Sequence, residues 1–123
     1  MLIPIHEEMT REALSARVSP RALEVIIAAN RKQDSLHGLI GHDEYHFDNS
    51  IDEGYRYINK QRGFVMASLL SAGVISAWIA FGRLTHTAQD FYAHTNYVSM
   101  WLDQHNGTPP TPPEIDPVQK SLI

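Results

Sequence analysis

The stretch HTAQDFYAH, residues 86–94, places His86, Asp90 and His94 four residues apart. Positions i and i+4 lie on one face of an α-helix, one turn from each other. The stretch therefore reads as a helix with a polar ridge of two imidazoles around a carboxylate. Trp78, Ile79, Phe81, Leu84, Phe91 and Tyr92 surround that ridge with apolar and aromatic side chains. A buried carboxylate and neutral imidazoles need partners, or their desolvation is costly. A divalent metal removes that cost, and the two oxygens of Asp90 could serve two ions, each with its own histidine. Hydrogen bonding without a metal is the plain alternative.

Upstream of the ridge, residues 63–82, GFVMASLLSAGVISAWIAFG, carry no charge over 20 positions. That length would span a bilayer. Ser68, Ser71, Ser76 and Gly73 interrupt it, and it leads into ionisable residues that are costly at membrane depth. It is expected to form a buried helical hairpin and no transmembrane span.

Working outward, helix formers dominate the 123 residues and strand-like alternation is scarce. The expected class is all-α: a small helical bundle around the central helix that carries the ridge. A first helix is expected over His6–Ala16. A second starts at Ser19-Pro20, with Ser19 as N-cap and Pro20 at the first helical position, and runs to about Asp34. Residues 34–50, DSLHGLIGHDEYHFDNS, read as a loop or short turns crowded with His37, His42 and His46. A third helix is expected from Ile51-Asp52 to Ala72-Gly73. The fourth runs from Val74 to about Thr95-Asn96, followed by a short turn through Trp101. Residues 106–123 form a proline-rich arm, leaving 1–105 as a helical metal-binding domain.

Composition narrows the chemistry. Fourteen acidic residues against ten Lys and Arg give a formal charge of -4, which offers no support for a stable nucleic-acid complex. There is no cysteine, so a metal site must use nitrogen and oxygen ligands. The opening residues, MLIPIHEEMTR, are too short and acidic for a secretory signal. A soluble protein of unassigned location is the expectation. Beyond the ridge, His6 opens the first helix, Asp34 ends the second, and His46 closes the histidine-rich loop. If the helices form one bundle, these side chains converge on His86, Asp90 and His94. Imidazole and carboxylate ligands suit zinc. Asn30 and Gln89 are candidates to support the ligands or to cap helices. His37 and His42 read as loop residues, and Arg83 as a phosphate contact or a surface ion pair.

The block GRLTHTAQDFYAHTNYV, with IIAANRKQD and YHFDNS, resembles the zinc-dependent phospholipase C and S1/P1 nuclease superfamily, nearest its Het-C-like branch. The resemblance covers about Pro4 to Trp101, on a chain shorter than the enzymes. It implies an all-helical, truncated phospholipase C/P1 nuclease-like fold holding zinc. Asp34 and His46 would match its Asp and its later His. His86 and Asp90 would match its H-x-x-x-D pair, with Asp90 bridging two ions. His94 would match a third-metal histidine and His6 an early one. Two zinc ions are implied. The third lacks ligands, since Pro109 stands where the family has Glu, although His105 is present.

The resemblance implies hydrolysis of a phosphate ester, possibly in a lipid, by metal-activated water. Asp34 would act as base and Asp90 as the bridge between the ions. A P1-like single-strand nuclease is one alternative. A non-catalytic zinc-binding structural or interaction module is the other. Oligomeric state is not legible.

Overall fold

The computed structural model describes residues 1–108. Six α-helices appear among them: α1 Ile3–Leu14, α2 Pro20–Lys32, α3 Leu36–Leu39, α4 Ile51–Leu70, α5 Val74–His94 and α6 Tyr97–Gln104. A 3-10 turn at Asp43–Tyr45 lies between α3 and α4, and there is no strand among the described residues. The all-α expectation holds as a small helical bundle. Most of the proline-rich arm, including Pro109 and Glu114, lies outside the described residues.

Local chemistry places the ends of the helices. The Ser19 hydroxyl accepts from the Ala22 backbone N–H, and Pro20 needs no partner for its missing N–H. Ser50 caps α4 by accepting from the Glu53 N–H, and Asp52 and Glu53 in its first turn suit the helix dipole. The 34–50 segment resolves into α3 and the 3-10 turn. The short turn foreseen near Trp101 is the full eight-residue α6.

α5 is the hub. α2 and α4 pack along it, α1 lies against α2 and touches α5, and α6 meets α5. α2 packs on α5, and the apolar face of α2 (Leu23, Ile26 and Ile27, with Ala22 and Ala29) is buried, as are Ala77 and Ala80 of α5. Gly82 sets the closeness of that contact: a Cβ there would collide with the Ile26 carbonyl and press on Ala29. This close approach brings the end of α2 beside the ridge on α5.

A second cluster, aromatic, gathers Phe47, Phe91 and Tyr97. Phe47 meets Phe91 edge-on at 5.1 Å between ring centres and Tyr55 at 5.5 Å. Phe47 holds this place with a φ of 57°, in the left-handed region that costs a bulky residue. Its ring anchors the loop that delivers His46, the preceding residue.

The middle of the bundle is polar. Of the six largest side chains with less than 2 % exposure, only Ile26 is apolar; the others are His6, His86, Asn30, Thr87 and Asp90. Buried polar groups persist where partners satisfy them, so their partners define the site.

The hairpin differs from its expectation in one respect. α4 and α5 do turn back at Ser71–Gly73, with Ala72 at φ 58°. Its end is not buried: Phe64, Met66, Leu69, Leu70, Val74 and Ile75 are all exposed. The flanking helices α1 and α2 are only 12 and 13 residues long, too short to cover two helices of 20 and 21.

Candidate metal centre

Asp90 stands at the centre of the site with no exposed surface. Its Oδ2 lies 2.9 Å from His46 Nδ1 and 3.1 Å from His86 Nε2. Its Oδ1 lies 3.2 Å from His6 Nε2 and 3.6 Å from His94 Nε2, and accepts from the Met1 amino group at 3.0 Å. Asp34 adds a second carboxylate, 3.6 Å from His86 Nε2 and 3.8 Å from both His6 Nε2 and His46 Nδ1. All six residues expected at the site are thus brought together.

They are not equivalent. One ligand atom each from His6, Asp34, His86 and Asp90 lies within 4.8 Å of all the others, so these four form a group that could hold a metal ion. His46 and His94 stand outside that set. His94 is 29 % exposed at its side chain and is tied to Asp48 at 3.1 Å as well as to the Met1 amino group at 2.8 Å.

The hydrogen bonds behind the imidazoles decide where their protons sit. Gln89 Nε2 donates to Thr10 Oγ1 and to the His6 carbonyl, so its Oε1 is free to accept from His6 Nδ1–H at 2.7 Å. Asn30 Nδ2 donates to the Gln89 Oε1, Thr10 and Thr85 oxygens, so its Oδ1 accepts from His86 Nδ1–H at 3.4 Å. The Gly38 carbonyl accepts from His46 Nε2–H at 3.3 Å. In neutral His6 and His86 the outer nitrogen carries the proton and the inner lone pair faces inward, whereas His46 lies between two acceptors and its Nδ1–H donates to Asp90 Oδ2 at 2.9 Å. An oxygen acceptor behind each ring is the usual support of a metal-binding histidine.

Two buried inner atoms have no hydrogen bond at all: His6 Nε2 and Asp34 Oδ2. The 3.2 Å approach of His6 Nε2 to Asp90 is close enough but misaligned for one. Extra protons relieve this only in part. Burial is the strongest single influence on His46 and works against its charge, but Asp90, the Gly38 carbonyl and Asp34 together outweigh it and raise the pKa. Burial pushes the His86 imidazole down, and neighbouring His6 adds to that, against the pull of Asp90. Burial also disfavours the Asp90 anion, yet His46, His6, His86 and the Met1 amine hold it well below the usual carboxylate range. Inward-facing ring nitrogens around two carboxylates suit a cation, which would displace any proton held between them, so the donor set fits zinc.

The other histidines lie apart from this group. His42 stacks on Tyr45 and meets Glu44 at 3.2 Å, and His37 is exposed. His105 stacks on Trp101 at 3.6 Å between ring centres, its Nδ1 donating to the Trp101 carbonyl. Asn30 and Gln89 hydrogen-bond the His86 and His6 rings. Thr10 and the Gly38 carbonyl were not legible as parts of the site. Thr10 stands one turn from His6, which is the one signal it offered.

A family model described as the VWA7 N-terminal domain matches residues 5–109. No curated protein and no solved structure matches. This corrects the resemblance to the phospholipase C and S1/P1 nuclease superfamily, because the matched family is a different one. The phospholipase C-like, Het-C-like and hydrolase labels lose their support with it. The physical reason is that His and Asp at i, i+4 report helix geometry and ligand chemistry, which unrelated lineages can share.

Proposed function

The chain belongs to the VWA7 N-terminal domain family, and from that premise and its polar centre we propose that it is a divalent-metal-binding module of the zinc type. His6, Asp34, His86 and Asp90 hold the ion, with His46 and His94 beside it. The ion supplies stability by tying α1, the end of α2 and α5 together. The single observation behind this reading is the set of three imidazoles backed by Gln89, Asn30 and Gly38, with their inner nitrogens facing two carboxylates. The test is metal content of protein purified without chelator, followed by thermal unfolding with zinc and with chelator. Stoichiometric zinc and a higher midpoint with metal are expected. No bound metal after zinc addition overturns the reading.

A second reading, metal-assisted cleavage of a phosphate ester, draws on one further observation. The two oxygens of Asp90 face different imidazoles: His46 and His86 on Oδ2, His6 and His94 on Oδ1. That supports Asp90 as a bridge between two ions, and in this reading Asp34 takes a proton from water. Two zinc ions per chain, with turnover of a model phosphodiester lost in Asp34→Asn, would favour this reading. One ion without turnover favours the structural module.

A further inference from the structure

The end of the α4–α5 hairpin poses a separate question. Leu70 is 87 % exposed, Met66 57 % and Leu69 53 %. No residue from 62 to 76 is buried. Residues 64–70, FVMASLL, hold one serine among six apolar residues. Successive helical residues point about 100° apart, so these side chains circle the helix instead of forming a stripe. A helix or protein groove would cover one side and leave the others wet. A medium that surrounds the tip covers all of them.

Charge identifies that medium. Between Gly54 and Gln89 the chain has four basic residues, Arg56, Lys60, Arg62 and Arg83, and no acidic one. All 14 acidic residues lie elsewhere, on a chain of net charge -4. The rise along a helix sets Arg62 about 12 Å before Leu70, and Arg83 about 13 Å beyond Val74. The two cations therefore stand at one level, above an apolar end about 10 Å deep. That depth matches the boundary between headgroups and acyl chains, where interfacial elements bury about 5–10 Å. A groove of about 320 Å³ along the hairpin, lined by Phe64, Ser68, Ile79 and Arg83 among others, links the apolar end to a guanidinium. No helix among the described residues is long and apolar enough to cross a membrane, so the contact is with one leaflet.

We propose that the α4–α5 hairpin tip inserts into the surface of an anionic phospholipid membrane, with Arg62 and Arg83 meeting lipid phosphates. The tip is remote from the metal centre: Val74 and His86 are separated by about 18 Å of helix. The two readings therefore stand or fall separately.

The experiment is co-sedimentation of the whole chain with vesicles of phosphatidylcholine alone and of phosphatidylcholine with phosphatidylserine. Partition onto the phosphatidylserine vesicles is expected, weakening as salt rises. Leu70→Asp should lower the partition coefficient by about tenfold or more. Arg62→Gln should lower it about fivefold on the phosphatidylserine vesicles, and by less on phosphatidylcholine alone, which has phosphates but no net charge. Both positions are exposed, so helicity by circular dichroism and zinc uptake should match the parent. Failure to bind phosphatidylserine vesicles overturns the proposal, as does binding unchanged by Leu70→Asp. Light scattering that shows a dimer split by Leu70→Asp also overturns it, because a second copy then covers the tip.

Discussion

Gln89 Oε1 lies 2.7 Å from His6 Nδ1, and this contact sets the proton on the outer side of the His6 ring. Gln89 stands next to Asp90 in sequence, but His6 is on another helix 83 residues away. One residue of α5 thus orients an imidazole of α1 while its neighbour's carboxylate faces the same ring. Replacing Gln89 with Leu should lower zinc affinity by about 10- to 100-fold, the usual cost of losing a partner behind a ligand. Gln89→Glu keeps an acceptor for His6 and should retain more affinity than Gln89→Leu. Competition against a chromophoric chelator measures both. Equal affinity for all three proteins would show that the metal does not use His6.

Asp90 and Asp34 should respond differently. Asp90 touches four histidines, whereas Asp34 lies at the partly open side, 11 % exposed at its side chain. Asp90→Asn should abolish stoichiometric zinc binding, and Asp34→Asn should weaken it. Isothermal titration calorimetry distinguishes the two outcomes. A reversed order would move the centre of the site to Asp34.

Gly82 is tested by Ala. Alanine gains about 0.5–1 kcal/mol in helix propensity over glycine. The collision of its methyl group with the Ile26 carbonyl and Ala29 works against that gain. Overpacking of this kind costs about 1–3 kcal/mol, so Gly82→Ala should be less stable than the parent. Its zinc affinity should fall too, because α2 carries Asn30 and leads into Asp34. Urea unfolding and metal titration read the two effects, and a more stable variant would refute the close packing.

Acid should weaken the metal-free protein in a definite order. The Asp90 pKa is depressed in the folded state. Its contribution is therefore present above the unfolded value near 3.9, and is lost as pH falls through the lower folded value. The His86 pKa is also depressed, so stability falls as pH drops below about 6.5. His46 has the opposite sign: its contribution is full below about 6.5 and is lost as pH rises through its raised value. The two histidines oppose each other near neutrality, so the steep loss should come below about pH 4. Zinc competes with protons for the same nitrogens, so its stabilisation should shrink from pH 7.5 to pH 5. Thermal unfolding across that range, with and without zinc, checks both. A zinc effect independent of pH would exclude imidazole ligands.

Much of the site was legible because each of its parts leaves a local mark. His86, Asp90 and His94 show the helical repeat directly, and Ser19-Pro20 announces α2 through the chemistry of its first turn. His6, Asp34 and His46 were placed as candidates by residue type and position. Their ranking was not legible. His46 and His94 have the same chemistry as His6 and His86, and only the packing of α1 and α2 on α5 separates the central four. The lineage was misread for a related reason: the spacing of the ridge is set by the turn of a helix, which many families share.

The sequence by itself determined the all-helical class, the caps that start the helices, the helical hairpin with its break at Ser71–Gly73, and the nitrogen and oxygen ligand set. These depend on neighbours within a turn or two, where the covalent chain already sets the distances. Only the tertiary structure decided that Gln89, Asn30 and Gly38 back three imidazoles, that Gly82 lets α2 approach, and that the hairpin tip stays bare. Each depends on which surfaces meet across tens of residues. No local pattern specifies that, because the same apolar run is stable whether a neighbouring helix or another medium covers it.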